Sequence, residues 1–167
     1  MGRLRISGLL LLLAGCGPVG PAQKIETAFD AKAAEYAAKP GTGRIEGQAF
    51  LRRDYGRLVT AAGERVFLIP ATPYAVERFR KMFDSEYRAY FGNEVEPPPE
   101  DYFRHRRESK VDMQGHFVFA NVAPGRYILA TRVFWTEPNS FLTRGGAMYD
   151  VVDVRNDETT KAIVSGR

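Results

Sequence analysis

The chain has 167 residues, 24 basic against 20 acidic side chains, and a formal charge of +4. Its 44% hydrophobic, 12% aromatic and 26% charged residues are those of a globular protein, which excludes wholesale disorder. The single cysteine excludes an intramolecular disulfide, so the fold must be held by its core.

The first elements concern location. Met1-Gly2-Arg3-Leu4-Arg5 is basic, Leu9 to Leu13 is an unbroken apolar run, and Leu13-Ala14-Gly15-Cys16 follows. This is the order of a secretory signal peptide. The run is too short for a membrane span, which needs about 20 apolar residues, and Gly15, Gly17, Pro18 and Gly20 break it. The Leu-Ala-Gly-Cys ending resembles the lipobox of bacterial lipoproteins. That resemblance implies cleavage after residue 15 and acylation of Cys16, which becomes both first residue and membrane anchor. Loss of Arg3 and Arg5 leaves 22 basic against 20 acidic side chains, too even a balance to point to nucleic acid. Residues 16–43 read as a lipidated tether, its Gly17 to Pro21 irregular and its Ala-rich stretch Ile25 to Lys39 helical, ended by Pro40-Gly41-Thr42-Gly43.

From Arg44 the apolar period becomes two. Ile45, Gly47, Ala49 and Leu51 predict a half-buried strand, followed by a turn or ragged hairpin over 52–63 and a short strand Arg65 to Ile69 that Pro70 stops. Thr72-Pro73 is a helix start. Val76, Phe79, Phe83, Tyr87 and Phe91 form one apolar face, which predicts a helix up to Gly92-Asn93. Pro97-Pro98-Pro99 is a stiff spacer. Asp112-Met113-Gln114-Gly115 and Pro124-Gly125 predict two turns, the first within a hairpin. Between and after them lie strands containing Phe117 and Phe119, and Tyr127 to Trp135. A loop over 137–146 and two closing strands, 147–154 and 161–164, complete the chain.

The pattern Asp112-x-x-Gly115-x-Phe117-x-Phe119-x-x-Val122-x-Pro124-Gly125-x-Tyr127-x-Leu129 resembles the carboxypeptidase regulatory-like domain. Gly43-x-Ile45-x-Gly47-x-Ala49 and Ala62-Gly63-x-x-Val66-x-Leu68 agree with it. The resemblance covers residues 43–72 and 110–165. It implies a mainly β, Ig-like or prealbumin-like antiparallel β-sandwich over residues 44–167, with no catalytic residues of its own. Residues 73–109 depart from the family pattern as an insertion holding the amphipathic helix, expected to cover a sheet edge or end.

Chemistry-bearing residues are sparse. His105 and His116 are the only histidines, too few for a zinc site once Cys16 is acylated. Ser85, Ser109, Ser140 and Ser165 lack a nucleophile elbow. Neither metal, cofactor nor enzymatic activity is expected. The cluster Arg104, His105, Arg106 and Arg107 and the strand-end Trp135 are the candidate partner-binding residues, with Tyr102 and Phe103 as anchors onto the sandwich. Two functional classes follow. One is a non-catalytic structural or protein-interaction module with an envelope protein as partner. The other is a lipoprotein that binds glycan or peptidoglycan fragments. Both place the protein in the cell envelope, held by lipid and facing the periplasm from the outer membrane where two membranes exist. Cys16→Ser is expected to release the protein from membranes or stall it as precursor, as read by fractionation and mass spectrometry of the N-terminus.

Overall fold

In the computed structural model the described residues are 21–53, 56–83, 88–89, 93–138 and 140–165. Cys16, Tyr87 and Phe91 therefore lie outside them. The strands are β1 (Gly43–Arg52), β2 (Leu58–Thr60), β3 (Arg65–Pro70), β4 (Arg88–Ala89), β5 (Arg107–Lys110), β6 (His116–Val122), β7 (Gly125–Thr136), β8 (Thr143–Val154) and β9 (Thr159–Ser165). They form two sheets. In the first, β1 is flanked by β9 on one edge and by β6 and β2 on the other. The second has the order β4-β8-β7-β3-β5.

The sandwich core follows from alternation. Ile45, Ala49 and Leu51 of β1, Phe117 and Phe119 of β6, and Tyr127, Leu129 and Val133 of β7 are all at most 2% exposed. They form one cluster between the sheets, as the period-two pattern predicts. One pairing departs from the antiparallel expectation: β9 runs parallel to β1, from Arg44↔Thr159 to Phe50↔Ser165.

The turn Asp112–Gly115 has the predicted chemistry. The Asp112 carboxylate accepts from the backbone N–H of Gln114 and of His116, at 2.9 and 2.8 Å. Gly115 takes φ +88°, where a Cβ would press on the Ala49 carbonyl. The strands it joins nevertheless do not form a hairpin, because β5 pairs with β3 in one sheet and β6 with β1 in the other. The turn steps between layers. The expected loop over 137–146 is also shorter than its sequence suggested. β7 and β8 stay paired out to Thr136↔Thr143, and Gly145, at φ +110°, leaves room for the Val133 carbonyl, which a Cβ would strike.

Helix α1 (Pro73–Phe83) starts as predicted, the Thr72 hydroxyl accepting from the Ala75 N–H at 3.2 Å. It does not run to Phe91. Arg88 and Ala89 instead form β4 beside Met148 and Ala147, where the edge of β8 offers unpaired backbone groups. Asn93 still closes the helix from a distance, its N–H reaching the Met82 carbonyl at 3.0 Å and its side-chain amide the Lys81 carbonyl at 3.1 Å.

The helix of the insertion covers a sheet face, while β4 and β5 line the two edges of the same sheet. Tyr74, Ala75, Phe79 and Phe83 of α1 are buried with Ile69 and Ile128 in a second cluster on the outer side of the five-stranded sheet. Phe79 and Phe83 both meet the ring of Tyr149, at 5.2 and 4.7 Å between centroids. The molecule thus has three layers: sheet, sheet and helix.

The segment 21–42 is docked from Gln23 onward, first on this third layer and then, at Tyr36, on the sandwich core. Ile25 is 5% exposed, and Phe29 packs edge-on against Tyr74 and Tyr102. The helical turn in this segment is a 3-10 helix, Lys32–Ala38, whose Tyr36 packs on Tyr127 and hydrogen-bonds the Arg126 carbonyl. Glu77 secures the segment by accepting from the N–H groups of Glu26 and Thr27, both at 2.8 Å. The Thr27 hydroxyl above all, with the Glu26 N–H and Lys81, holds the Glu77 carboxyl at about 2.

Two outcomes are expected. Phe119→Ala, in the sandwich core, and Phe79→Ala, under the helix, should each lower unfolding stability by about 3–5 kcal/mol in denaturant titrations. A loss below about 1 kcal/mol at Phe79 would mean the helix layer is an appendage. Because the Glu77 pKa is depressed by folding from 4.5, its stabilising contribution is complete above about 4.5 and disappears as pH falls towards 2. Hydrogen exchange at the Glu26 and Thr27 amides should accelerate across that window beyond the chemical pH effect, and Glu77→Gln should abolish that acceleration.

Candidate functional site

The chain's side chains leave a groove of about 660 Å³ on the outer face of the five-stranded sheet. Its floor is made by outward positions of β3, β7 and β8: Phe67, Ile69, Ala130 and Ala147. The last two turns of α1 supply one wall with Phe79, Met82 and Phe83. The opposite wall is Phe103 and Arg106, carried there by the 3-10 helix Glu100–Phe103. Pro99 leads directly into that helix, so the proline-rich spacer sets where the second wall stands.

The rim is charged. Arg65, Arg106 and Arg132 face the groove with one carboxylate, Glu64. Arg132 pairs with Glu64 at 3.0 Å, and Arg65 with Glu108 at 3.5 Å, both in exposed settings. Arg106 makes no ion pair among the described residues. Its guanidinium lies 4.7 Å from the Phe67 ring centroid and 5.0 Å from that of Phe103, stacked on both. Phe103 itself is 45% exposed. The expected pair of aromatic anchors therefore divides: Tyr102 is buried, its phenol pushed up to about 12 by desolvation and so neutral, while Phe103 faces the groove.

The basic cluster does not form one patch. Arg104 pairs with Asp101 one turn earlier. Arg107 turns inward, donating to the Ala120 and Asn121 carbonyls at 2.6 and 3.1 Å and tying β5 to β6. Only Arg106 lines the groove. His105 is half-buried and outside it. Trp135 stands elsewhere: Leu129 lies at the level of Arg107 through Leu68, and Trp135 is six residues further along β7, about 20 Å. There its indole N–H donates to Glu137 at 3.2 Å, and Arg53 pairs with Glu137 while lying over the indole ring.

Sequence reading missed the groove because its floor is the second face of strands read as one-sided. The available signal was the apolar run Tyr127-Ile128-Leu129-Ala130, which is continuous where a half-buried strand would alternate. His116 points outward from β6 beside Asp112, at 3.4 Å. Among the described residues no group of three His, Cys, Asp or Glu side chains is placed to hold a metal ion.

No protein-family model matches the chain, and no curated protein sequence matches it significantly. Solved structures do. A Pseudomonas aeruginosa protein described as a "putative carbohydrate binding protein" is similar over 83% of this chain and 98% of its own, with a TM-score of 0.69 and 22% identity. A minor pilin of Streptococcus agalactiae is similar over 76% of this chain and 44% of its own, with a TM-score of 0.39 and 14% identity. The first likeness establishes the shared β-sandwich fold.

Proposed function

We propose that the protein is a lipid-anchored, non-catalytic cell-envelope protein that binds a carboxylate-bearing glycan, such as a peptidoglycan fragment, in the groove of the five-stranded sheet. One observation carries this reading: an exposed Phe103 ring and an Arg106 guanidinium with no carboxylate partner among the described residues share one wall of an apolar groove. A sugar ring has an apolar C–H face that packs on an aromatic ring, and its carboxylate finds a planar fork in arginine. The P. aeruginosa neighbour, described as a "putative carbohydrate binding protein", is compatible with the same use of the fold. The lipid anchor rests on Leu13-Ala14-Gly15-Cys16.

A structural or protein-interaction role has its own support. On the outer face of the four-stranded sheet, Val118 and Ile163 are 41% and 61% exposed beside Glu46 and Gln48. Calorimetric titration with purified muropeptides and acidic oligosaccharides separates the two readings. Binding should fall about tenfold or more in Phe103→Ala and in Arg106→Ala, a loss of at least about 1.4 kcal/mol, with both variants folded. Absence of binding to every such ligand, alongside capture of an envelope protein sensitive to Val118→Lys, would favour the interaction module.

A further inference from the structure

The end of the sandwich remote from Gly125 carries exposed apolar side chains that no described layer covers. In the β7–β8 connection Phe141 is fully exposed and Leu142 is 69% exposed. Beside it the β1–β2 hairpin presents Leu58, 53% exposed, next to the exposed Arg52 and Arg57. The two tips are braced together by Arg53, which pairs with Glu137 and lies 5.4 Å from the centre of the Trp135 ring. Arg144 is exposed at the start of β8. Among the described residues the bracket's one carboxylate, Glu137, is paired with Arg53, while Arg52, Arg57 and Arg144 are exposed. Exposed Phe and Leu between arginines is the composition of a surface that enters the interfacial zone of an anionic bilayer.

The chain's N-terminal direction points to the same end. Tyr36 sits by Gly125 and Tyr127, Phe29 by Tyr74, Thr27 by Glu77, and Lys24 by Lys81. Followed backwards, the segment climbs α1 towards its last turn, at the level of Ala147 and Arg132. Ala147 is four residues, about 13 Å, from the hairpin end at Thr143. Cys16 is five positions before Pro21, a reach of at most about 18 Å.

We infer that this end is a membrane-docking face. Phe141 and Leu142 enter the lipid interface in which the acylated Cys16 is held, and Arg52, Arg57 and Arg144 meet anionic headgroups. The inference rests on the lipid-anchor reading for its geometry, whereas the groove stays clear of the bilayer on the flank of the molecule. Docking fixes the domain's orientation where a tether alone would leave it free to turn.

Trp135 is the chain's single tryptophan and stands at this tip, which makes it the reporter. The full-length protein extracted from membranes is reconstituted in phosphatidylcholine–phosphatidylglycerol vesicles with and without brominated acyl chains. Bromolipid should quench Trp135 by at least half. The double substitution Phe141→Ser, Leu142→Ser, on side chains that support no core, should remove most of the quenching while flotation with vesicles persists. Vesicle-bound protein with unquenched Trp135, or quenching unchanged by the double substitution, overturns the docking face and leaves the anchor standing. The anchor fails separately: Cys16→Ser that partitions to membranes like the wild type sinks that reading, while its Trp135 quenching still decides whether the tip docks.

Discussion

Strand β7 has no solvent-facing side over residues 127–129. Tyr127 and Leu129, at 2% and 0% exposure, point into the sandwich, and Ile128, at 0%, points the other way. A sheet with apolar side chains on both faces must be covered on both, and the rest of the molecule meets that constraint. The four-stranded sheet covers one face. Helix α1, the N-terminal segment and the 3-10 helix at Tyr102 cover the other. The insertion is therefore part of the folding unit, and Tyr36, which touches Tyr127 from the N-terminal side, ties the first described residues to the main core.

That cover is incomplete, and the incompleteness makes the candidate site. α1 lies over β8 and β3 at Tyr149 and Ile69, and the chain then crosses to Tyr102 by way of the spacer at 97–99. Between helix and spacer the small side chains Ala130 and Ala147 leave the floor low, while Phe103 and Arg106 rise on the far side. Larger residues at the two alanines would have closed the layer. A rigid sheet under the groove keeps Phe103 and Arg106 in place before a ligand arrives, which lowers the entropy lost on binding.

The sandwich was legible in the sequence because turn chemistry and alternation coincide there: Asp112 and Gly115 fix the turn, and Phe117, Phe119, Tyr127 and Leu129 fix the inward face. What alternation could not reveal is which sheet each strand joins. β5 and β6 are separated by a hairpin-like turn yet enter different layers, since pairing of β5 with β3 is a long-range choice. The helix start was legible in Thr72-Pro73, its end was not. Tyr87 and Phe91 continue the helical spacing, but Arg88 and Ala89 pair with β8, and a vacant strand edge outweighs local periodicity. The site was least legible. Four adjacent basic residues suggested one patch, whereas the chain passes within them from the turn after the 3-10 helix into β5. Arg106 and Arg107 are therefore divided, the first onto the Phe103 ring and the second onto the carbonyls of β6.

This division has a consequence for how charge acts in the protein. Arg107 is part of the scaffold, since its guanidinium donates to two carbonyls of the neighbouring sheet and its loss would leave them to water. Among the described residues Arg106 is held by two aromatic faces, which leave its N–H donors available in the plane of the guanidinium. Adjacent arginines thus serve opposite ends, one holding the two sheets in register and the other keeping a donor set open beside an apolar floor. Reversing the charge of the whole cluster would confound the two effects, because stability and ligand affinity would change together. The informative comparison is between single substitutions: Arg106→Gln removes the fork from the groove, while Arg107→Gln loosens β5 from β6 and reaches the groove only through the 3-10 helix that precedes it.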